Sequence, residues 1–330
     1  MLHAQTWNSN IWLCGWYKAT STRNGDSRPM LQKVFRHNLE IFRDGAYRTG
    51  TDTVVTLPQR DDYVLQAQMF SEPIKLPADY DRQTTELHVL NGDCILATRS
   101  LVEQGLNPAL LNMASLYHPG GGVLTGSGAQ EEELCRRSTL AVSLYQFSLP
   151  GGRFGDLAQL VGVERRAERY PMDNTYGGIY SPGITFFRGT REEGYALSEN
   201  PFTASVISVA SLNFNPRHGH STLVDGKISS DDRDTIIEKI RTILRIGALK
   251  GHDSLVLGAL GCGAFCTPPA QMAQLFHQVL DEQEFQGRFS RIVFAIIDTP
   301  NSSNFKPFLK ELGSGDRPCL TRTVPTEQIT

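Results

Sequence analysis

The stretch that most constrains this chain is residues 112–137, where an apolar run ends in the glycine triplet Gly120–Gly122. After seven intervening residues come Gln130, Glu131, Glu132 and Glu133. Five glycines fall within the nine residues from Gly120 to Gly128. Ordering a glycine costs more backbone entropy than ordering any other residue, a cost that a turn alone does not require. Glycines also let a backbone approach a ligand closely and turn its N–H groups toward it. Adjacent carboxylates just beyond such a loop point to acid/base chemistry on whatever the loop holds. The combination suggests an anionic, sugar-bearing ligand whose bond is cut by a glutamate.

The surrounding pattern places that loop in an α/β fold. Leu87–Leu90 reads as a short strand and Cys94–Gln104 as a helix stopped by Gly105. Ala109–Ala114 is a second strand, and a helix is expected over Ala129–Tyr145. Residues 148–200 hold many Gly, Pro and Arg and read as a long loop or insertion. Ser205–Leu212 is a strand, Asp231–Leu249 an amphipathic helix, and Ser254–Leu260 a strand leading into a second glycine loop, Gly261–Phe265. Pro268 or Pro269 opens a helix running to about Asp281, Arg291–Ile297 is a final strand, and Phe305–Leu312 a final helix. Alternating apolar strands and helices imply a sheet covered on both faces, which binds ligands at the carboxyl ends of its strands.

The N-terminal region has another rhythm. Residues 1–27 read as irregular, though Trp7, Trp12, Trp16 and Tyr17 argue against a purely disordered tail. Leu31, Val34, Phe35, Leu39, Ile41 and Phe42 form a helical stripe ending at Gly45, and a polar, Pro-containing segment follows to about Asp81. That helix is too short to be stable alone and is expected to pack on the core. The organisation expected is an N-terminal extension at 1–84, a catalytic domain at 85–315 and a polar, mobile tail at 316–330.

Composition narrows the class. The 330 residues are 40% hydrophobic and 20% charged, an ordinary soluble balance that allows a large core. A net charge of −3 argues against a broad nucleic-acid surface, while local basic patches stay possible. Six scattered cysteines, of which only Cys262 and Cys266 are close, suggest reduced, mostly buried thiols in a reducing compartment. Met1–Cys14 lacks the features of a secretory signal, and no apolar run approaches the roughly 20 residues that span a bilayer.

Each motif has a plainer reading beside the functional one. The Gly120 loop lacks the Gly-Lys-Ser/Thr of a P-loop and breaks the dinucleotide fingerprint, so it is either a structural turn or a different ligand loop. Acidic residues at 130–133 suit a first helical turn through the macrodipole alone. A general acid there needs burial or a bound anion to raise its pKa. Gly261, Cys262, Gly263, Ala264 and Phe265 form either a turn or a nest of amides for a diphosphate, and Phe265 either stacks on a ribose or fills core. Asp93 is either an adenine reader or the N-cap of the following helix. Tyr117 and His118 stand at the loop mouth. No Ser–His–Asp order and no metal-ligand cluster is evident.

With those residues in view, the chain resembles the bacterial-type poly(ADP-ribose) glycohydrolases, a branch of the macrodomain superfamily. The resemblance rests on Gly120–Gly122 followed by Gln130–Glu132, on Asn91–Asp93, Leu111–Ser115, Ile179–Pro182 with Phe187–Arg188, Leu255–Gly258 with Gly261–Phe265, and Val293–Ile296. Arg36–Tyr47 resembles a helix of that branch's N-terminal extension, and the similarity runs in order over about 28–312. It implies a macrodomain-like three-layer α/β/α fold with a mixed central sheet, plus a mainly helical N-terminal extension. It implies poly(ADP-ribose) as substrate, ADP-ribose as product, and Glu132 as the acid/base that cuts the ribose–ribose O-glycosidic bond.

Further roles follow from the same resemblance. Glu131 holds ribose hydroxyls and Gln130 supports the loop. Gly120, Gly121, Gly122 and Val123 line the distal ribose and diphosphate, and Gly261, Cys262, Gly263, Ala264 and Phe265 the diphosphate and ribose. Asp93 and Ile296 serve adenine. Ser115 stands where many macrodomains carry Asn and bacterial relatives often carry Ser. No metal or cofactor is implied, no membrane partner is expected, and a cytoplasmic monomer is expected, nuclear location being open if the source is eukaryotic. The alternatives are a hydrolase of single ADP-ribose units on protein or nucleic acid, and a non-catalytic ADP-ribose-binding macrodomain, which would lack the Glu pair.

Overall fold

The structure, a computed structural model, describes residues 4–21, 26–298 and 303–313. The tail at 316–330 and Cys319 lie outside the described residues. The chain has a mixed α/β fold with a seven-stranded mixed sheet. In chain order the elements begin with β1 (Gln5–Thr6), α1 (Ser9–Thr20), α2 (Arg28–Asp44), β2 (Ala46–Arg48), β3 (Val54–Thr56), α3 (Asp61–Val64) and β4 (Gln68–Phe70). Then come β5 (Glu86–Leu90), α4 (Cys94–Glu103), β6 (Pro108–Met113), a 3-10 turn (Val123–Thr125), α5 (Gln130–Arg137), α6 (Leu140–Tyr145) and α7 (Leu157–Val161). The remainder is β7 (Gly178–Arg188), β8 (Leu197–Val209), α8 (Ser230–Leu249), β9 (Ser254–Leu257), α9 (Pro269–Leu280), β10 (Arg291–Ala295) and α10 (Phe305–Leu312). The sheet order is β4-β7-β8-β6-β9-β10-β5, and β1-β2-β3 form a small separate sheet. Two compact units emerge: Met1–Met69 with Ala114–Pro171 and Ser181–Ser205, and Phe70–Met113 with Met172–Tyr180 and Val206 onward.

In the first unit, α2 buries Leu31, Val34, Phe35, Ile41 and Phe42, the stripe that its 3.6-residue spacing marks out. It stops at Gly45, whose N–H bonds to Ile41 O at 2.8 Å. The expected irregularity of residues 1–27 is corrected by α1, which Asn8 caps through Ile11 N at 2.9 Å. Its one buried residue is Trp12, whose indole N–H donates to Met30 O at 2.9 Å. A helix that buries so little has no apolar period to betray it. Trp12 packs with Leu31, Val34 and Tyr195.

Two further expectations in this stretch are corrected. The helix over 129–145 is two helices: Ser138 is extended and pairs with Phe186, its Oγ donating to Leu134 O at 2.7 Å and accepting from Leu140 N at 3.2 Å. Serine's side chain competes with the helical backbone for these groups. Residues 148–200 are not one long loop, because α7, β7 and the first four residues of β8 lie there. Pro182 and Gly183 inside β7 and the polar start of β8 hide both from an apolar-run criterion.

In the second unit, β6, β9, β10 and β5 are parallel neighbours, with Ser254 opposite Pro108 and Arg291, and Arg291 opposite Glu86. Ile236, Ile237, Ile240, Ile243 and Leu244 of α8 join Met272, Phe276 and Val279 of α9 in one buried cluster with Leu255, Leu257 and Phe294. Burying each such side chain stabilises by about 1.5–3 kcal/mol, so truncating Ile243 to Ala costs about 2–5 kcal/mol. Outside the core, Arg241 and Arg245 of α8 each hold a glutamate in fork geometry, Glu282 and Glu284 respectively. The expectation of mostly buried thiols is corrected: of the five described cysteines only Cys135 is buried, and Cys14 and Cys266 are exposed. No described helix is long and apolar enough to cross a membrane.

Candidate active site

The glycine triplet leaves β6 through Ala114 and Ser115 and reaches α5 by way of the 3-10 turn. Four backbone N–H groups of this passage end on two carboxylates. Ser115 N donates to Glu131 Oε2 at 2.7 Å and Gly120 N to Glu131 Oε1 at 3.1 Å. Gly122 N donates to Glu132 Oε1 at 2.7 Å and Ala129 N to Glu132 Oε2 at 3.0 Å. Glu132 is the third residue of α5, so the last bond is the glutamate half of a capping box. Glu131 is 3% and Glu132 7% exposed. Carboxylates leave water at such cost only when hydrogen bonds replace the hydration, which these four N–H groups do.

Gly121 shows why the triplet is glycine. Its φ is +56°, and a Cβ there would stand 2.4 Å from Glu132 Oε1 and 2.9 Å from Glu131 Oε2. The loop and the two carboxylates therefore occupy one another's only available space. Behind Glu131 lie Cys135, Tyr145 and Tyr170, all buried. Burial pushes their pKa values well up, and neighbouring Glu131 adds to this in each. The Cys135 thiol is thus kept protonated, a packing group and no nucleophile.

The third glutamate has a separate task that the sequence did not reveal. Glu133 accepts from Tyr195 Oη at 2.8 Å, forms an ion pair with Arg136 at 3.1 Å, and bonds to Arg191. Burial pushes the Glu133 carboxyl up, but Arg136, Arg191 and Tyr195 outweigh it and hold it below the usual carboxylate range. Arg191 also lies 5.3 Å from the Trp16 ring centroid. These contacts tie α5 to the segment after β7 and to α1. The one signal in the sequence was Arg136 three residues after Glu133, the spacing of a helical ion pair.

The other expected site residues fall as follows. Ser115 Oγ accepts from Tyr117 N at 3.3 Å and His118 N at 3.1 Å, shaping the loop entrance. Val123 is 1% exposed, and Gln130, half-buried, opens α5. In the second unit, Asp93 caps α4, its Oδ1 accepting from Ile95 N at 2.9 Å and Leu96 N at 3.0 Å. Ile296 is 4% exposed within the core cluster, while Ile297 beside it is 58% exposed. In the loop after β9, Cys262 N bonds to Ala259 O and Thr267 N to Gly261 O, each at 3.0 Å. The N–H groups of Gly263, Ala264 and Phe265 have no acceptor among the described residues. Successive unpaired amides are an anion-binding arrangement.

A family model described as the catalytic domain of microbial-type PARG matches residues 36–189, which include the glycine triplet and both buried glutamates. Over this stretch, 154 of the 330 residues, the chain is similar to that family. Among solved structures it is similar to poly(ADP-ribose) glycohydrolase from Thermomonospora curvata, at 28% identity over 85% of this chain and 98% of that chain, with a TM-score of 0.67. The same enzyme bound to the inhibitor ADP-HPD matches at 27% identity over 85% and 98%, with a TM-score of 0.66. Poly(ADP-ribose) glycohydrolase from Deinococcus radiodurans in complex with ADP-ribose matches at 26% identity over 78% and 99%, with a TM-score of 0.57. A search of curated proteins gave no match.

Proposed function

We propose that this chain is a poly(ADP-ribose) glycohydrolase that hydrolyses ribose–ribose O-glycosidic bonds and releases ADP-ribose, with Glu132 as general acid and then base. The observation that carries the reading is Glu132 itself: 7% exposed, and held through both oxygens by Gly122 and Ala129 N–H groups. A protein that only binds ADP-ribose needs the loop but not two buried carboxylates, whose desolvation works against stability.

In its acid form Glu132 donates a proton to the leaving ribose oxygen as the C–O bond breaks. The sugar carbon becomes oxocarbenium-like, and the carboxylates of Glu131 and Glu132 stabilise its positive charge in a site closed to bulk water. The Glu132 carboxylate then takes a proton from the water that adds to that carbon, which restores the acid and leaves ADP-ribose and a shortened chain. Glu131 and Glu132 are neighbours in sequence and sit on one side of the loop. This is therefore one dominant carboxylate working in two steps, unlike the usual pair facing each other across a sugar. Glu131, whose oxygens accept from Ser115 N and Gly120 N, is the partner that this reading gives the ribose hydroxyls.

The same reading assigns Gly120–Gly122 and Val123 to the distal ribose, with Gln130 and Ser115 supporting the loop. It assigns the Gly263, Ala264 and Phe265 amides, with Gly261 and Cys262, to the diphosphate, and Asp93 and Ile296 to adenine. Residues 85–315 are the catalytic domain on this reading and 1–84 its extension. The protein acts as a monomer in the cytoplasm on polymer attached to other macromolecules.

The test compares wild type with Glu132→Ala for release of ADP-ribose from purified poly(ADP-ribose), with ADP-ribose affinity measured on both. A loss of about 1,000-fold or more with affinity retained is expected. Wild type that binds ADP-ribose but releases none from polymer sinks the reading in favour of a hydrolase of single units, or of a binder. Undiminished turnover by Glu132→Ala removes Glu132 from the acid/base role.

A further inference from the structure

A second group of side chains in the first unit is joined to the Gly120–Gly122 loop through His118 and takes no part in the chemistry above. Between α6 and α7 the chain makes a tight turn, Gly152-Arg153-Phe154-Gly155, closed by Gly155 N donating to Gly152 O at 2.9 Å. Its two central residues are an exposed Arg153 and a half-buried Phe154, with the guanidinium 5.3 Å from the ring centroid. The Phe154 ring meets the His118 ring edge-on, centroids 5.7 Å apart and planes at 74°. Next to His118, Tyr117 is 48% exposed. Burial, and after it the charge of Arg153, lowers the His118 pKa, so this ring offers an uncharged edge. His118 O accepts from Gly121 N at 3.0 Å, and Gly121 lies against Glu132 Oε1. The rings of His118 and Phe154, the adjoining exposed ring of Tyr117 and the Arg153 cation thus border the loop that holds the acid.

The chemistry of the substrate says what belongs there. If Glu132 protonates the leaving oxygen, the unit that departs is an adenosine whose ribose carries that oxygen. Its adenine is attached to the neighbouring ring carbon, so the base must lie close to the acid. Its diphosphate follows a few bonds further on. A base stacks on exposed aromatic rings, and an arginine already laid against a ring presents its fork to phosphate with less freedom to lose. We propose that Tyr117, Arg153 and Phe154 form the subsite for the departing side of the polymer, the aromatic rings receiving the adenine and Arg153 the diphosphate of the penultimate ADP-ribose unit. This inference rests on the glycohydrolase reading and adds to it a determinant of polymer over single-unit substrates.

The experiment uses two substrates on the full chain: purified poly(ADP-ribose), and ADP-ribose carrying a 4-nitrophenyl group on the anomeric oxygen, whose leaving group has neither adenine nor phosphate. Arg153→Ala, Phe154→Leu and the Tyr117→Ala/Phe154→Ala double variant are compared with wild type. The expected result is a kcat/KM on polymer lower by about 10- to 100-fold, with the nitrophenyl substrate and ADP-ribose affinity changed by less than about threefold. An equal loss on both substrates, or no loss on either, overturns the subsite while leaving the glycohydrolase intact. Wild type that cleaves the nitrophenyl compound but not polymer overturns both the subsite and the glycohydrolase reading. Phe154→Leu keeps an apolar side chain in the turn, so a folded variant is available for the comparison.

Discussion

In the loop Gly120–Gly122 the chain's own acceptors take the backbone N–H groups, whereas in Gly261–Phe265 three consecutive N–H groups have no acceptor among the described residues. Both loops follow a parallel strand and both contain a glycine with φ well above zero. Their glycines are nevertheless required by different neighbours. At Gly121 the space for a Cβ is taken by catalytic-candidate carboxylates, and at Gly261 by the hydroxyls of Ser211 and Thr267, 2.4 Å and 2.6 Å away. Neither hydroxyl has a hydrogen-bond partner among the described residues. The first loop is a cage built to hold charged side chains in place. The second is a cradle whose donors stand open.

The largest effect should come from forcing the cage. Gly121→Ala must move Glu132 or distort a backbone at φ +56°, and displacing a catalytic group by about 1 Å costs about 100-fold. A fall of that size in kcat, with ADP-ribose affinity changed by only a few-fold, is expected in steady-state kinetics on polymer. Wild-type kcat from Gly121→Ala would break the comparison, because the loop would then be yielding and no cage. Next in size is Gly261→Ala, which meets two hydroxyls at φ +74° and should destabilise by about 1–3 kcal/mol while weakening ADP-ribose binding. Thermal unfolding with and without ADP-ribose reads both effects, and a lowered Tm with unchanged ligand stabilisation would mean that the cradle does not hold the ligand.

How much of this was legible in the sequence follows the same division. The parallel strands β5, β6, β9 and β10 and the helices α2 and α8 announced themselves because each buries a continuous or periodic apolar set. Both loops were legible as loops because glycine clusters after apolar runs have few other uses. What failed was whatever depends on partners far along the chain. Glu133 read as one more residue in an acidic first turn, yet its partners Arg191 and Tyr195 lie 58 and 62 residues away. Strands β7 and β8 carry Pro182, Gly183 and a polar opening that a lone strand could not bear but a paired one does. The turn at Arg153 and Phe154 was visible only as glycines in a supposed loop.

The two units also differ in the pH window where each is sensitive. In the first unit burial, with Arg188, lowers His37 from 6.5 to about 4, while its Nε2 bonds to Thr6 O and its Nδ1 to Arg188. Between those values the unfolded chain binds more protons, so stability falls as pH drops from 6.5 to 4. In the second unit burial lowers Lys239 from 10.5 to about 8, Asp173 opposing, and its Nζ has no hydrogen-bond partner among the described residues. Its cost is full below about pH 8 and is relieved as pH rises toward 10.5. Lys239→Met should therefore stabilise by about 2–3 kcal/mol at pH 7 in denaturant titrations and lose that advantage by pH 10.5. His37→Asn should flatten the step between pH 6.5 and 4, leaving the further loss that Glu133 causes when it is protonated at lower pH. A pH-independent gain from Lys239→Met would mean that the lysine's fit, and not its charge, is what the fold bears.

The smallest expected effect is the most exacting check on the open cradle. A Cβ added at Gly263 meets nothing within 4 Å, so Gly263→Ala leaves the amide in place and adds a methyl group to solvent. If the loop binds through its backbone N–H groups in the arrangement described, ADP-ribose affinity should change by less than about twofold and stability by less than about 0.5 kcal/mol. A tenfold loss of affinity by isothermal titration would mean that ligand closes down on Gly263 itself. The second loop would then resemble the first, a glycine position fixed by what presses against it, and the contrast between cage and cradle would hold only without ligand.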